Sequence, residues 1–343
     1  MFEKTNQKEI YHQSMKEQLI EIFKHKGSSE CQLNTLDPFC SFEQLPYKDF
    51  RSKFQNDFSP APKSSFARDA LGEGMLIKNQ TNINPFKFGF IGSTDTHLGT
   101  PGAVDEEVFQ GHGGAGKSFR ESIPDGLPDD IEFNPGGLAV VWSEENSRTA
   151  IFNALKRKEV YGTSGPRFLV RFFLGDNLDE DLCSQSTAIS SSYKKGVPMG
   201  GTLNSNDISK ATLFVSAKAD QLMPDQFIEK IQVVKGVLRE DQIITSVHDI
   251  QSQSPTDLNQ ETCEVIGTGV RSMCAVWSDP NFKQGDEAYY YVRVIANKSC
   301  RWSQSLCVHN PEYCEDQTEF EVPKFIQERA WTSPIWLEKT LDI

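Results

Sequence analysis

The residues of this 343-residue chain best suited to chemistry are Asp95-Thr96-His97. If the backbone stays extended there, the carboxylate and the imidazole project to the same side. A hard oxygen donor beside a borderline nitrogen donor suits a divalent ion such as Zn, Mn or Fe. The plainer reading of an Asp-x-His pair is a turn cap or a satisfied hydrogen bond, and context separates the two. Here Phe86, Phe88, Phe90 and Ile91 form an apolar run that reads as a buried strand ending at Gly92. Leu98-Gly99-Thr100-Pro101-Gly102 then reads as a loop, so the pair stands at a strand end.

Other residues are weaker candidates. Lys26, Arg167 and His112 could contact an anionic substrate, although each also reads as a surface residue. Gly111 to Ser118 spells a phosphate-binding loop, which must follow a buried strand and open a helix. Asp105 to Gln110 is not such a strand, and Ile123-Pro124-Asp125-Gly126 soon ends any helix, so a flexible loop is the better reading. Trp277, Trp302 or Trp336 could form the platform of a carbohydrate- or protein-binding β-sandwich, but tryptophan is more often buried.

Composition bounds the partners. The 35 basic and 48 acidic residues give a net charge of −13, which argues against nucleic acid and anionic membrane. No apolar run approaches the ~20 residues of a membrane span. Met1 to Glu9 is polar and does not read as a signal peptide. The eight cysteines suit disulfides in an oxidising compartment. Cys31 and Cys40 flank a loop, Cys263 and Cys274 could pair across a hairpin, and Cys183 stands apart. Cys300, Cys307 and Cys314 cluster, and with His309 they leave structural zinc as the competing reading.

The elements that would position these residues follow from periodicity. Asn6 to Phe23 reads as a helix that runs into a short apolar strand. Gly27 to Pro62 is a long loop, and Ser65 to Ile77 has helical spacing. Gly137 to Trp142 reads as a buried strand. A helix capped by Ser143 should follow, burying Ile151, Phe152 and Leu155. From Arg167 onward, repeated strands with turn signals read as an antiparallel β-sandwich.

Pro85 to His97 resembles the last metal motif of the PHP (polymerase and histidinol phosphatase) superfamily, and within it the DUF3604 family. Glu21 to Cys31 resembles an earlier PHP motif, in which a histidine just after a strand binds metal. Gly137 to Trp142 with Glu144-Glu145-Asn146 also matches, as do Tyr161 to Gly165, Gly196 to Gly201 and Gln327 to Trp336. The resemblance runs from about Ile20 to Trp336. It implies α/β plus β: a partial, distorted β/α (PHP-type, TIM-like) barrel over 1–165, then a β-rich, sandwich-like domain over 166–343. The final segment of that second domain could pack back on the barrel.

The resemblance also implies divalent metal ions held by His25, Asp95 and His97. Apart from it, His25 reads as a surface loop histidine, and Glu21 is a weaker candidate. The implied chemistry is metal-dependent phosphoester hydrolysis of a small-molecule phosphate ester. PHP enzymes begin with a His-x-His motif, yet no two of the six histidines here are spaced i and i+2. The expectation is therefore the C-terminal portion of a longer, periplasmic or extracellular protein, with full activity only when the missing strands are supplied. The alternative is a non-catalytic remnant or interaction module with a degenerate metal site.

Overall fold

A computed structural model describes residues 7–33, 35–44, 65–96, 99–106, 109, 133–309, 311 and 323–339. The first part of the chain forms α1 (Gln7–Lys16), β1 (Leu19–Lys24), β2 (Gly27–Ser28), α2 (Ala67–Thr81), β3 (Gly89–Gly92), β4 (Leu138–Val141), α3 (Arg148–Lys156) and β5 (Val160–Thr163). Next come β6 (Leu169–Asp176), α4 (Ala188–Lys195), β7 (Gly196–Pro198), β8 (Thr202–Asn204), β9 (Ala211–Lys218), β10 (Ile228–Arg239) and β11 (Gln242–Ser252). The rest comprises β12 (Asp257–Leu258), β13 (Val265–Ile266), β14 (Ser272–Ser278), β15 (Ala288–Ala296), β16 (Ser299–Cys300), α5 (Trp302–His309), β17 (Phe325–Ile326), β18 (Arg329–Thr332) and β19 (Ile335–Glu338).

The centre is an eight-stranded sheet with the path β11-β10-β15-β18-β5-β4, to which β19 and β8 attach beside β15. Every residue of β15 is buried, because both of its faces are covered. On one face Tyr290, Val292 and Val294 pack with Phe172, Leu174, Leu213 and Val215 of the β14-β9-β6-β7 sheet. On the other, Tyr289 and Tyr291 pack with Ile22 and Phe23 of β1, Phe90 of β3, and Leu71 and Met75 of α2. This alternation fits a strand with two buried faces, whose side chains point to opposite sides in turn.

The fold is mixed α/β with several sheets, and the later strands stack sheet on sheet. Among the described residues no sheet closes into a barrel. The physical reason lies in the pairing. A β/α barrel needs successive parallel strands, but β4 and β5 pair antiparallel despite the helix between them. The parallel neighbours are β1 with β3, and β8 with β19.

Several local expectations change. The cap of α3 is Ser147, whose Oγ accepts the Ala150 N–H at 3.2 Å, rather than Ser143. Its buried residues are Ala150 and Ala154, and Phe152 is 62% exposed. The disulfides are Cys31–Cys40, Cys183–Cys274 and Cys263–Cys300. Cys263 and Cys274 therefore do not pair with each other, and Cys183 does not stand apart. Cys307 is disulfide-bonded too, so neither it nor Cys300 is a zinc thiolate. Trp302 and Trp336 are fully buried and offer no binding platform, while Trp277 is half-buried against His248.

Candidate metal centre

Residues Leu19 to Phe23 and Gly89 to Gly92 pair in parallel, so their C-terminal ends open on the same side. The pairing continues as the Ser93 N–H donates to the Phe23 carbonyl at 3.0 Å. His25 follows the first strand and Asp95 follows the second. His25 Nδ1 lies 3.0 Å from Asp95 Oδ2, with the imidazole 1% exposed and the carboxylate side chain 41% exposed. His25 is thus a buried residue rather than a surface loop histidine. Asp95 has φ +56°, so it is not extended as the same-side argument required. This left-handed turn swings its carboxylate toward His25, and a short aspartate tolerates that conformation. His97, His112 and the phosphate-loop spelling at 111–118 lie outside the described residues.

Glu21, on β1, is occupied by the Ser93 hydroxyl and by Lys24 at 3.1 Å. Burial pulls Lys26 below the ordinary lysine range and Lys24 adds to this, while Asp95 and Glu21 oppose the shift. Lys26 therefore sits within the field of the Asp95 carboxylate. Arg167 is exposed, and its backbone N–H donates to Asp220 at 2.7 Å.

One strap holds His25 and the backbone just before Asp95. The Asn134 N–H donates to the His25 carbonyl at 3.0 Å, and the Phe133 ring stands edge-on to the imidazole with centroids 5.3 Å apart. Three residues on, the Gly137 N–H donates to the Ser93 carbonyl at 2.7 Å. Gly136, at φ +85°, lies so close to the Ser93–Thr94 backbone that a Cβ would come 2.6 Å from the Ser93 oxygen. Only glycine fits that approach.

The strap is anchored from behind. Asn134 Nδ2 donates to Glu43 at 3.1 Å, and Glu43 lies 3.2 Å from Arg301. Arg301 Nη2 and the Trp302 indole both donate to the Phe133 carbonyl, at 2.7 and 2.6 Å. Two more buried carboxylates complete this layer. Glu106 Oε2 accepts the Trp302 N–H at 2.5 Å, whereas its buried Oε1 has no hydrogen-bond partner. Glu328 accepts from the Ser164 hydroxyl. Burial, with Glu43 adding, raises the Glu106 carboxyl to about 8 although Arg301 opposes it. Burial and then Glu106 push Glu328 well above the carboxylate range. Glu43, Glu106, Asn134 and Arg301 escaped the sequence reading. The turn chemistry of Asn134-Pro135-Gly136-Gly137 was the available signal for the strap. Glu328 falls within the Gln327 to Trp336 match.

A buried imidazole beside a half-exposed carboxylate fits the donor chemistry of zinc, manganese or iron. Among the described residues this centre supplies those two donors. The described group with three converging donor residues is Cys31, Asp37 and Cys40, whose sulfurs are bonded to each other. A groove of about 920 Å³ between the Cys31–Cys40 loop, α2 and β11 is lined by neither His25 nor Asp95. Among the described residues no helix is long and apolar enough to cross a membrane.

No curated protein and no solved structure matches the chain. The model of one family, described as "Protein of unknown function (DUF3604)", matches residues 2–339. The chain therefore belongs to the DUF3604 family.

Proposed function

We propose that this protein is a metal-dependent hydrolase of the PHP type acting on small-molecule phosphate esters. The observation that carries the reading is the 3.0 Å approach of His25 to Asp95 at the matching ends of two parallel strands. His25 and Asp95 would hold a divalent Zn, Mn or Fe ion, with His97 as the third ligand implied by the Asp-x-His motif. When bound, such an ion activates water and offsets charge on a phosphoryl oxygen. The protein's own part is positioning. Asn134 holds the His25 backbone and Phe133 packs against the imidazole, and the partner of its second nitrogen would set the tautomer. The exposed side of Asp95 leaves room for substrate, and Lys26 stands where it could meet an anion. The net charge of −13 favours a small ester over nucleic acid. The disulfides favour a periplasmic or extracellular setting.

The test is metal content and turnover together. Purified protein dialysed against Mn²⁺ or Zn²⁺ should retain the ion and hydrolyse p-nitrophenyl phosphate or its diester. Asp95→Ala should lose both. Hydrolysis that survives Asp95→Ala would end the proposal. A second reading, a non-catalytic interaction module with a degenerate site, is favoured by the direct His25–Asp95 contact, which can satisfy both groups without an ion. It predicts a folded protein that retains no metal.

A further inference from the structure

At the far end of α2, a cleft of about 400 Å³ opens between the helix C-terminus, the end of β10 and the 283–287 turn. The first turn of α2 donates to the Ser29 and Glu30 carbonyls, just beyond His25. The helix has 15 residues, and at ~1.5 Å per residue the cleft lies roughly 22 Å from that point. It is a separate place from the His25–Asp95 pair.

In a chain of net charge −13, this cleft is lined by Lys78, Arg239, Lys283 and Lys339 against Asp286 and Glu287. Both carboxylates are committed. Arg239 donates twice to Asp286 at 2.6 Å, and Lys78 donates to Glu287 at 3.0 Å. At the rim, Asp241 accepts from the Asn79 amide at 2.7 Å. Lys283 and Lys339 are exposed and pair with no carboxylate among the described residues. The negative end of the helix dipole opposes an anion here, and Lys78 in the last turn is held by Glu287 and by Glu338 at 3.2 Å, so the attraction falls to Lys283 and Lys339. Two ammonium groups with no carboxylate partner among the described residues therefore line one cavity of small-ligand size.

We propose that this cleft binds a soluble phosphorylated small molecule, its phosphate between Lys283 and Lys339 and its polar body against the amides of Asn82 and Gln284. A dianionic phosphate matches the two lysine charges, and charge-assisted hydrogen bonds would hold it. The site is independent of the hydrolase reading and would act beside it.

Calorimetric titration at low ionic strength with inorganic phosphate and with glycerol 3-phosphate tests it. One saturable site is expected for glycerol 3-phosphate. Lys283→Ala/Lys339→Ala should weaken it by about tenfold or more, the loss of at least one charged hydrogen bond. Added salt should weaken it as well, while Asp95→Ala should leave it unchanged. Both lysines are exposed, so the double variant should melt like the parent. No saturable binding, binding undiminished in the lysine variant, or binding lost in Asp95→Ala would each overturn the proposal.

Discussion

Arg293 reaches Glu30 across 263 positions of sequence, its Nη1 3.1 Å from Oε1, and neither side chain meets solvent. Glu30 also takes Arg68 at 2.7 Å, the Tyr291 hydroxyl at 2.6 Å and the Trp331 indole at 2.7 Å. Asp37 shares both guanidinium groups. This network joins the loop after His25 to the central sheet. Glu30→Gln would leave two buried arginines facing one carboxylate, and breaking a buried pair in this way costs about 3–5 kcal/mol. Denaturant unfolding should show an unfolding free energy lower by that amount.

The same carboxylate predicts acid sensitivity. Burial alone would raise Glu30, but Arg293 and Arg68 outweigh it and hold the group at about 2, against an ordinary 4.5. Between these values the unfolded chain binds the extra proton. The stabilisation is therefore present above 4.5 and is lost as pH falls toward 2. Melting temperature should drop across that window, and Glu30→Gln, starting lower, should drop less.

Glu106 predicts the opposite limb. Its folded value of about 8 lies above the ordinary 4.5, so the folded state holds the extra proton between them. Stability should fall as pH rises from 4.5 toward 8. Glu106→Gln, which stays neutral, should flatten that decline in a series of melts.

Gly137 allows no side chain. A Cβ there would lie 2.1 Å from the Thr163 carbonyl oxygen, a backbone atom that cannot swing aside. Gly137→Ala should cost on the order of 1–3 kcal/mol by overpacking and should move the strap off Ser93. Thermal melting reads the first effect, and the His25 ring resonances in an NMR spectrum read the second.

Cys183 and Cys274 are joined across 91 residues, linking the segment after β6 to edge strand β14. Replacing both with serine should cost about 2–5 kcal/mol. Unfolding midpoints under non-reducing conditions would show it.

Local pattern made some of this legible. The strands ending near His25 and Asp95 were visible because apolar runs stopped at Gly92 and at polar Lys24. The strand-rich later part was visible because Phe168 to Leu174 and Ala288 to Ile295 are nearly continuous apolar runs. What stayed hidden depends on distance in sequence. Glu30 and Arg293 give no local sign of each other. The Cys183–Cys274 bond ties the segment after β6 to β14, which lie close only because β9 pairs with both β6 and β14. The turn at Asp95 was misjudged because an extended backbone was assumed, and a left-handed residue leaves no periodic trace.

The strap at 133–137 is gripped by Arg301, and β5 is completed by β18, which ends at Thr332. A ribosome making this chain would thus have produced His25 and Asp95 well before Arg301 and β18, which steady the strap and β5 around them. The frame around the pair is therefore complete only once residues as far along as Thr332 have folded onto it.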